Sequence, residues 1–326
     1  GDGRFGDEPG AVGWLVGEEN KGLACMFTMM NNARLMVGMQ GVAISEAATQ
    51  KAVEYAKERV QGRSPGWTGD GMSPIIEHPD VSRMLTTMKA LSQGARAIAY
   101  SCAHAVDMAD RSTGDEKRFW SERANLLTPL AKSVPTDAGV EVASLGIQVH
   151  GGMGFIEETG AARLFRDARI APIYEGTNGI QAIDLVGRKL PQSGGAHVRG
   201  FIAELRDVAD AVKSSNRPGF GRTAEKLSAA ISDLDIATEW MLANVGEGRM
   251  ADALAGATAY QRLFGLVLTG AYLAKGGLAD GGDGRDEARI ALARFAAENL
   301  IGETAALKDR VVDGAESLAA ARIALG

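Results

Sequence analysis

At 326 residues the chain is long enough for a large buried core and roughly two domains. Its net charge of -6 and pI near 5.4 argue against nucleic acid or an anionic membrane surface as a main partner. Cys25 and Cys102 are the only cysteines, too few for a disulfide framework or a thiolate zinc site, so a reducing cytoplasm is the simple reading.

Residues 1–22 are Gly-rich, with short apolar pieces such as "GWLVG", and read as a turn or a remnant strand. The chain opens on Gly rather than Met and reads as the interior of a longer protein or a processed start. From Leu23 to Val60 an apolar stripe at helical spacing (Phe27, Met30, Val37, Ile44, Ala48) predicts a long helix, stopped by Gly62 and Pro65. A second helix is expected from Pro79, a good first-turn residue, to near Arg111. A third segment from about Asp115 carries Pro129 and Pro135, which predicts a break into two pieces before "IQVHGGMGF". A fourth helix starts after Thr177, with Ile180, Ile183, Val186 and Leu190 on one face. Four amphipathic helices joined by short links predict an antiparallel bundle. "LPQSGGAHVRG" then reads as a linker. Beyond it helices are expected over about 198–214, 219–246, 249–276 and 285–320. The expected organisation is all-α: a β remnant over 1–22, a four-helix bundle over 23–189 and an added helical domain over 196–326.

His78, His104, His150 and His197 show no metal-ligand spacing, and no metal is expected. The best apolar run, "LFGLVLTGAYLA" from Leu263, is about half of the roughly 20 residues a membrane span needs.

Four stretches place glycines or polar groups at helix ends or on apolar faces: "NNARLMVG" with Arg34, "AKERVQGR", "LGIQVHGGMGF" and "YEGTNGIQ" with Glu175. Each also has a structural explanation. Arg34 could snorkel, the paired glycines could cap a helix, and Glu175 could be a first-turn acid favoured by the helix dipole. "GGMG" lacks the lysine and spacing of a phosphate loop.

Taken together these stretches resemble the flavin-dependent acyl-CoA dehydrogenases. "IQVHGGMGFIEETGAARLFRDARIAPIYEGTNGIQ" is similar almost end to end to that family's C-terminal signature, and the resemblance covers about residues 12–189. The tail after 195 resembles the extra helical domain of the long, roughly 600-residue branch. Within that branch "MFTMMNNARLMVGMQG" and "IDLVGRKLP" look most like the 3-methylmercaptopropionyl-CoA dehydrogenases. The resemblance implies FAD as cofactor, an acyl-CoA substrate (3-methylmercaptopropionyl-CoA or a related short or medium acyl chain) and an electron-transfer flavoprotein as electron acceptor. It also implies a homodimer or a dimer of dimers.

The resemblance makes Glu175 the base that removes the α-proton while the β-hydrogen leaves as hydride. Asn31, Arg34 and Gly176 match substrate-side positions, although Asn31 stands where an aspartate is usual. Ala33 occupies the place where one branch puts its base, which strengthens Glu175. Arg59 and Gln61 match contacts to the FAD of a neighbouring subunit, and Gln148, Gly151 and Gly152 match a second such contact. His78, Thr177, Asn178 and Gly179 complete the implied cofactor set. Gly62 departs from the family's usual aromatic, and Pro79 from its common glutamine. "RLFRDAR" reads as structural, with Asp167 bridging neighbouring arginines. Two competing readings are a DNA-damage-response flavoprotein of the same superfamily and an inert helical fragment. The first needs a basic tail. From Leu190 onward there are 15 Lys and Arg against 18 Asp and Glu.

Overall fold

The computed structural model describes residues 12–279, 281–282 and 284–326, and the side chains of residues 24, 27 and 28 lie outside that description. Three long helices come first: α1 (Gly22–Glu58), α2 (Pro79–Arg111) and α3 (Gly114–His150). Pro79 opens α2 behind an extended His78, as its fixed φ and missing N–H favour. Arg111 closes it in the last turn, and Asp115 and Glu116 open α3, each with the sign the helix dipole prefers. Only Ser112 and Thr113 separate α2 from α3, so the two must run antiparallel.

Contacts give the remaining direction. Thr49 on α1 meets Ser92 on α2 at 3.2 Å, and Glu46 pairs with Arg96 at 2.9 Å, so rising numbers on one helix meet falling numbers on the other. Against α3, Gly38 faces Ala131 and Gly41 faces Pro135, rising together. The trio is up-down-up, with α1 and α3 parallel.

Pro129 and Pro135 do not split α3, contrary to the sequence expectation; the helix runs unbroken for 37 residues. Proline at 135 deprives the Ala131 carbonyl of its usual donor. α1 closes over that carbonyl. A Cβ at Gly38 would lie 1.9 Å from Ala131 O, and one at Gly41 would lie 2.3 Å from Pro135 O. Two glycines thus bring one backbone against the other where α3 is weakened, and packing outweighs the local proline penalty.

After α3 come single-turn α4 (Gly152–Phe155) and short α5 (Ala161–Ala168). The fourth bundle helix, α6 (Asn178–Asp184), is short and continues as a π-turn over Leu185–Lys189, with Leu190 N donating to Leu185 O at 2.9 Å. The link from α3 to α6 is therefore longer than the short connection expected. Then follow α7 (Ala196–Ser214), α8 (Thr223–Gly246), α9 (Met250–Leu278), α10 (Asp286–Asn299) and α11 (Thr304–Ala321).

The last expected helix, 285–320, is broken at a turn over Ile301–Glu303. Ile301 is buried there against Gly270 of α9, whose missing Cβ makes the notch that receives it. The chain must turn to seat that side chain. The strand remnant expected over 1–22 falls partly on residues 1–11, outside the described residues. Residues 12–21 form no strand, because no strand among the described residues offers them a ladder; the one bridge there joins Val60 and Pro74.

α9 is the centre of the C-terminal helices, with Tyr260, Phe264, Val267 and Leu268 fully buried. Its Gly265 admits Val134 of α3, and Gly94 of α2 admits its Thr269. One apolar core runs from Ile98, Leu126 and Leu130 through Leu185 and Val186 to Phe201, Leu234 and Phe264. Arg123 of α3 adds a polar clamp. It bonds Glu204 on α7 at 3.0 Å and His197 at 3.2 Å while lying 4.1 Å from the centre of the Phe201 ring. No helix among the described residues is long and apolar enough to cross a membrane.

The α1–α3 contact generates the first prediction. Gly38→Ala puts a methyl group into the Ala131 carbonyl and should cost about 3 kcal/mol, at the upper end for overpacking. Urea unfolding of the two proteins measures it, and a loss below about 0.5 kcal/mol, the usual size of a surface change, would show that the helices are not held this close.

Candidate active site

The segment leaving α5 turns over residues 169–177 and reaches α6. Glu175 sits in it at φ 55° and Gly176 at φ 81°, two left-handed residues in succession. A glutamate there is strained and persists only if neighbours enforce it. They do. The Asn178 amide donates to Pro172 O at 2.9 Å, closing the loop at its base. Gln181, on the first turn of α6, donates from Nε2 to the carbonyls of Glu175 and Gly176 at 3.4 and 3.3 Å. Thr177 caps α6, its Oγ1 accepting from Ile180 N at 3.2 Å. Tyr174 bonds through its hydroxyl to Gln40 of α1. Gly176 is required twice over: by its φ, and because a Cβ would lie 2.8 Å from Gln181 Nε2.

Beneath the bend is a buried polar group that sequence reading missed. Lys132 of α3 is fully buried and donates from Nζ to Asn178 Oδ1 at 2.8 Å. Asn178 Nδ2 donates to Asp137 Oδ1 at 2.7 Å and to Ser133 O at 3.3 Å. Gln261 reaches in from α9; in the amide orientation that satisfies both its ends, the nitrogen donates to Asn178 O at 3.2 Å and the oxygen accepts from Ala182 N at 3.0 Å. Burial pushes the Lys132 ammonium down to about 8; Asp137 and, more weakly, Glu175 act to raise it, while Arg34 adds to the lowering. Burial pushes the Asp137 carboxyl up, opposed by the Asn178 bond and by Lys132.

Arg34 is buried, not snorkelling. Its Nη1 bonds Asp184 Oδ2 at 2.9 Å, and the same carboxylate takes Arg188 Nε at 2.7 Å. Asn31 lies one turn earlier on α1, half-buried. A cleft of about 850 Å³ opens beside the bend, lined by Asp137, Arg169, Pro172, Ile173, Thr177 and Gly179 among others. Thr177 and Gly179 thus face open space, whereas the side chain and amide of Asn178 are committed inside the chain.

The remaining candidates gather elsewhere. Arg59 Nη2 bonds Gln61 Oε1 at 3.3 Å, and His78 Nε2 lies 2.9 Å from Gln61 O. Tyr55 stacks on His150 with centroids 4.5 Å apart, which brings the end of α1 beside the Gln148–Gly152 turn. Burial lowers the His150 imidazole, while its bond to Gly146 O opposes this. Gly151 adopts φ 59°, and both it and Gly152 face open space. Arg59, just past the end of α1, stands 19 positions beyond Gln40 beside the bend, roughly 28 Å along the helix. One chain therefore carries two separated groups of candidate residues. The second group suits an anionic diphosphate: Arg59 is exposed, no carboxylate among the described residues pairs with it, and open glycine backbone lies beside it. Asp167 pairs with Arg163 at 3.5 Å, while Arg166 turns instead to Glu157 at 2.7 Å. Among the described residues no group of acids, histidines and cysteines could hold a metal.

Comparison with known proteins identifies the architecture. Residues 20–190 match the family model "Acyl-CoA dehydrogenase, C-terminal domain", and residues 198–322 match "Acetyl-CoA dehydrogenase C-terminal like". The chain belongs to the acyl-CoA dehydrogenase family. It is 42% identical over 320 residues to a 3-methylmercaptopropionyl-CoA dehydrogenase of Ruegeria pomeroyi, covering 96% of this chain and 54% of that protein. It is 32% identical to a butyryl-CoA dehydrogenase of Syntrophomonas wolfei, covering 92% and 51%. The chain thus spans about half the length of these relatives. A Bacillus anthracis acyl-CoA dehydrogenase solved with FAD shares the fold at a TM-score of 0.72 and 16% identity, covering 92% of this chain and 52% of that one.

Lys132, Asp137, Gln181, Asp184 and Gln261 escaped the sequence reading. The available signal was Lys132 itself, a lone charge in "LTPLAKSVP" between two prolines on an apolar face. Its titration gives a prediction. The folded lysine titrates near 8 and the unfolded one near 10.5. Between those values the unfolded chain binds more protons, so stability gains from this residue as pH rises from 8 to 10.5. Lys132→Met should lose that gain. Urea midpoints of both proteins across this range should therefore differ in slope, and parallel curves would show that Lys132 is not desolvated.

Proposed function

We propose that the chain is the C-terminal part of a flavin-dependent acyl-CoA dehydrogenase, in which Glu175 removes the α-proton of an acyl-CoA thioester. The observation that carries this reading is the bend. A single carboxylate is held in a strained conformation by bonds to its own carbonyl, to the next residue and to the loop base, which is how a group is aimed rather than how a surface acid is left. A C–H bond beside a thioester is a weak acid. Its base must lose hydration when substrate arrives, and Tyr174, Ile173 and the acyl chain would supply that desolvation. Gly176 leaves room beside the carboxylate for the thioester. Arg59, Gln61 and the Gln148–Gly152 turn would hold the FAD diphosphate of a neighbouring copy, with His78 beside them. Thr177 and Gly179 would meet the chain's own flavin. Bound FAD supplies the acceptor for the β-hydride.

The 3-methylmercaptopropionyl-CoA dehydrogenase likeness makes that thioester, or a related short or medium acyl-CoA, the substrate to test first. An electron-transfer flavoprotein would be the acceptor, and the cytoplasm the compartment. Residues 23–189 would supply the site and 196–326 the supporting helical unit.

In the full-length enzyme Glu175→Gln keeps shape and FAD binding and removes the base. A positioned general base contributes about 10²–10⁴-fold. Because proton and hydride leave together, flavin reduction in a stopped-flow instrument should slow by about 10⁴-fold or more. Acyl-CoA binding should survive, since a neutral amide avoids burying a charge. Reduction at near wild-type speed would remove Glu175 from the role.

The separation of the two residue groups along α1 also implies assembly. A homodimer or a dimer of dimers packed through the bundle would bring Arg59 and Gln61 to another copy's cofactor. Ile170, Ile173, Ile180 and Ile183 are exposed apolar residues around the bend, as an interface needs. Light scattering of the full-length enzyme should give a dimer or tetramer mass, and a stable monomer would refute this.

A further inference from the structure

We propose that Lys132 is a positioning residue for Glu175: its ammonium holds Asn178, and Asn178 closes the loop that carries the base. The proposal rests on Glu175 being the base, and it goes beyond that assignment to what aims it.

Three observations carry it. First, the Asn178 side chain is shared between Lys132 at 2.8 Å and Asp137 at 2.7 Å, so its place is set by α3 and not by solvent. Second, the Asn178 amide bonds Pro172 O at 2.9 Å, so whatever fixes Asn178 fixes both ends of the strained loop between them. Third, Lys132 is fully buried and yet interacts electrostatically with Glu175. A buried ammonium is costly, and a structural role alone would be served as well by a neutral donor. The groups facing it are Arg34 from α1, Asp137 from its own helix and Glu175 from the bend. Arg169 and Arg262 act on Asp137 from behind, and Asp184 pairs with Arg34. The charge makes the bond to Asn178 stronger than a neutral donor would.

Three substitutions test the tether. Lys132→Gln keeps a donor for Asn178 Oδ1 and removes the charge; Lys132→Met removes both. Asn178→Ala cuts the tether and leaves the lysine. In the flavin-loaded full-length enzyme, with 3-methylmercaptopropionyl-CoA and butyryl-CoA as probes, Lys132→Met and Asn178→Ala should slow flavin reduction by at least about tenfold at pH 7, as loss of positioning does. Lys132→Gln should lose less. In all three variants KM for the acyl-CoA should stay within about twofold while kcat falls, the split expected when positioning and not binding is lost. Circular dichroism and flavin content should stay near wild type.

Unchanged rates in both Lys132 variants, or a loss carried by KM alone, would overturn the proposal, provided that wild type is reduced and Glu175→Gln is not. Loss of folding in all three variants would overturn it too, by making Lys132 purely structural. If wild type is not reduced by an acyl-CoA, or if Glu175→Gln is reduced as fast, the assignment of the base fails and this proposal with it.

Discussion

The bend at Glu175 depends on how one asparagine is satisfied. Asn178 is the first residue of α6, and nearly every polar atom it has is bonded within the protein: to Lys132, Asp137 and Ser133 from α3, to Pro172 from the loop, and to Gln261 from α9. In a low-dielectric interior an unpaired amide is costly, so these partners stay together or fail together. Three parts of the chain, remote in sequence, are thereby brought to one point, and the strained Glu175 hangs from it. The loop itself is short of apolar anchors; Ile170 and Ile173 are exposed. Its shape comes from hydrogen bonds more than from packing.

That arrangement explains why α3 keeps two prolines. Lys132 lies between Pro129 and Pro135, on the turns that must face both α1 and α6. A proline frees a carbonyl, and a helix so loosened needs a neighbour to close over it. Gly38 and Gly41 provide the closure. The same close approach leaves no room for water beside the lysine, which is what lowers its proton affinity. Helix contact and site electrostatics are therefore one feature. A wider spacing between α1 and α3 would hydrate Lys132 and weaken its hold on Asn178 at the same time.

Periodicity and punctuation made most of the architecture legible. The bounds of α2 follow from Pro79 and Arg111, and the signature around Glu175 led to the bend. What was not legible is instructive. The unbroken α3 was hidden because proline's local cost is readable and the compensating glycines lie about a hundred residues away. The break at Ile301 was hidden because its cause, the notch at Gly270, lies on another helix. Lys132 and Gln261 were hidden because polar residues on helices default to solvent. The partner of Arg34, Asp184, was hidden because it lies 150 residues distant. Each miss is a long-range contact that outweighs a local preference.

The linker "LPQSGGAHVRG" marks a change in connectivity and not a gap in packing. Ser193, Gly194 and Gly195 all take positive φ, a tight reversal suited to glycine. Leu190, Val198 and Phe201 on either side are buried in the same core as Leu130 and Phe264. Two segments that share a core cannot separate without exposing it, at about 25 cal/mol for each Å² of apolar surface uncovered. The C-terminal helices are for that reason part of the site's foundation. Gln261 reaches Asn178 from the helix whose Gly265 receives Val134, so a displacement of α9 would be felt at the bend that carries Glu175.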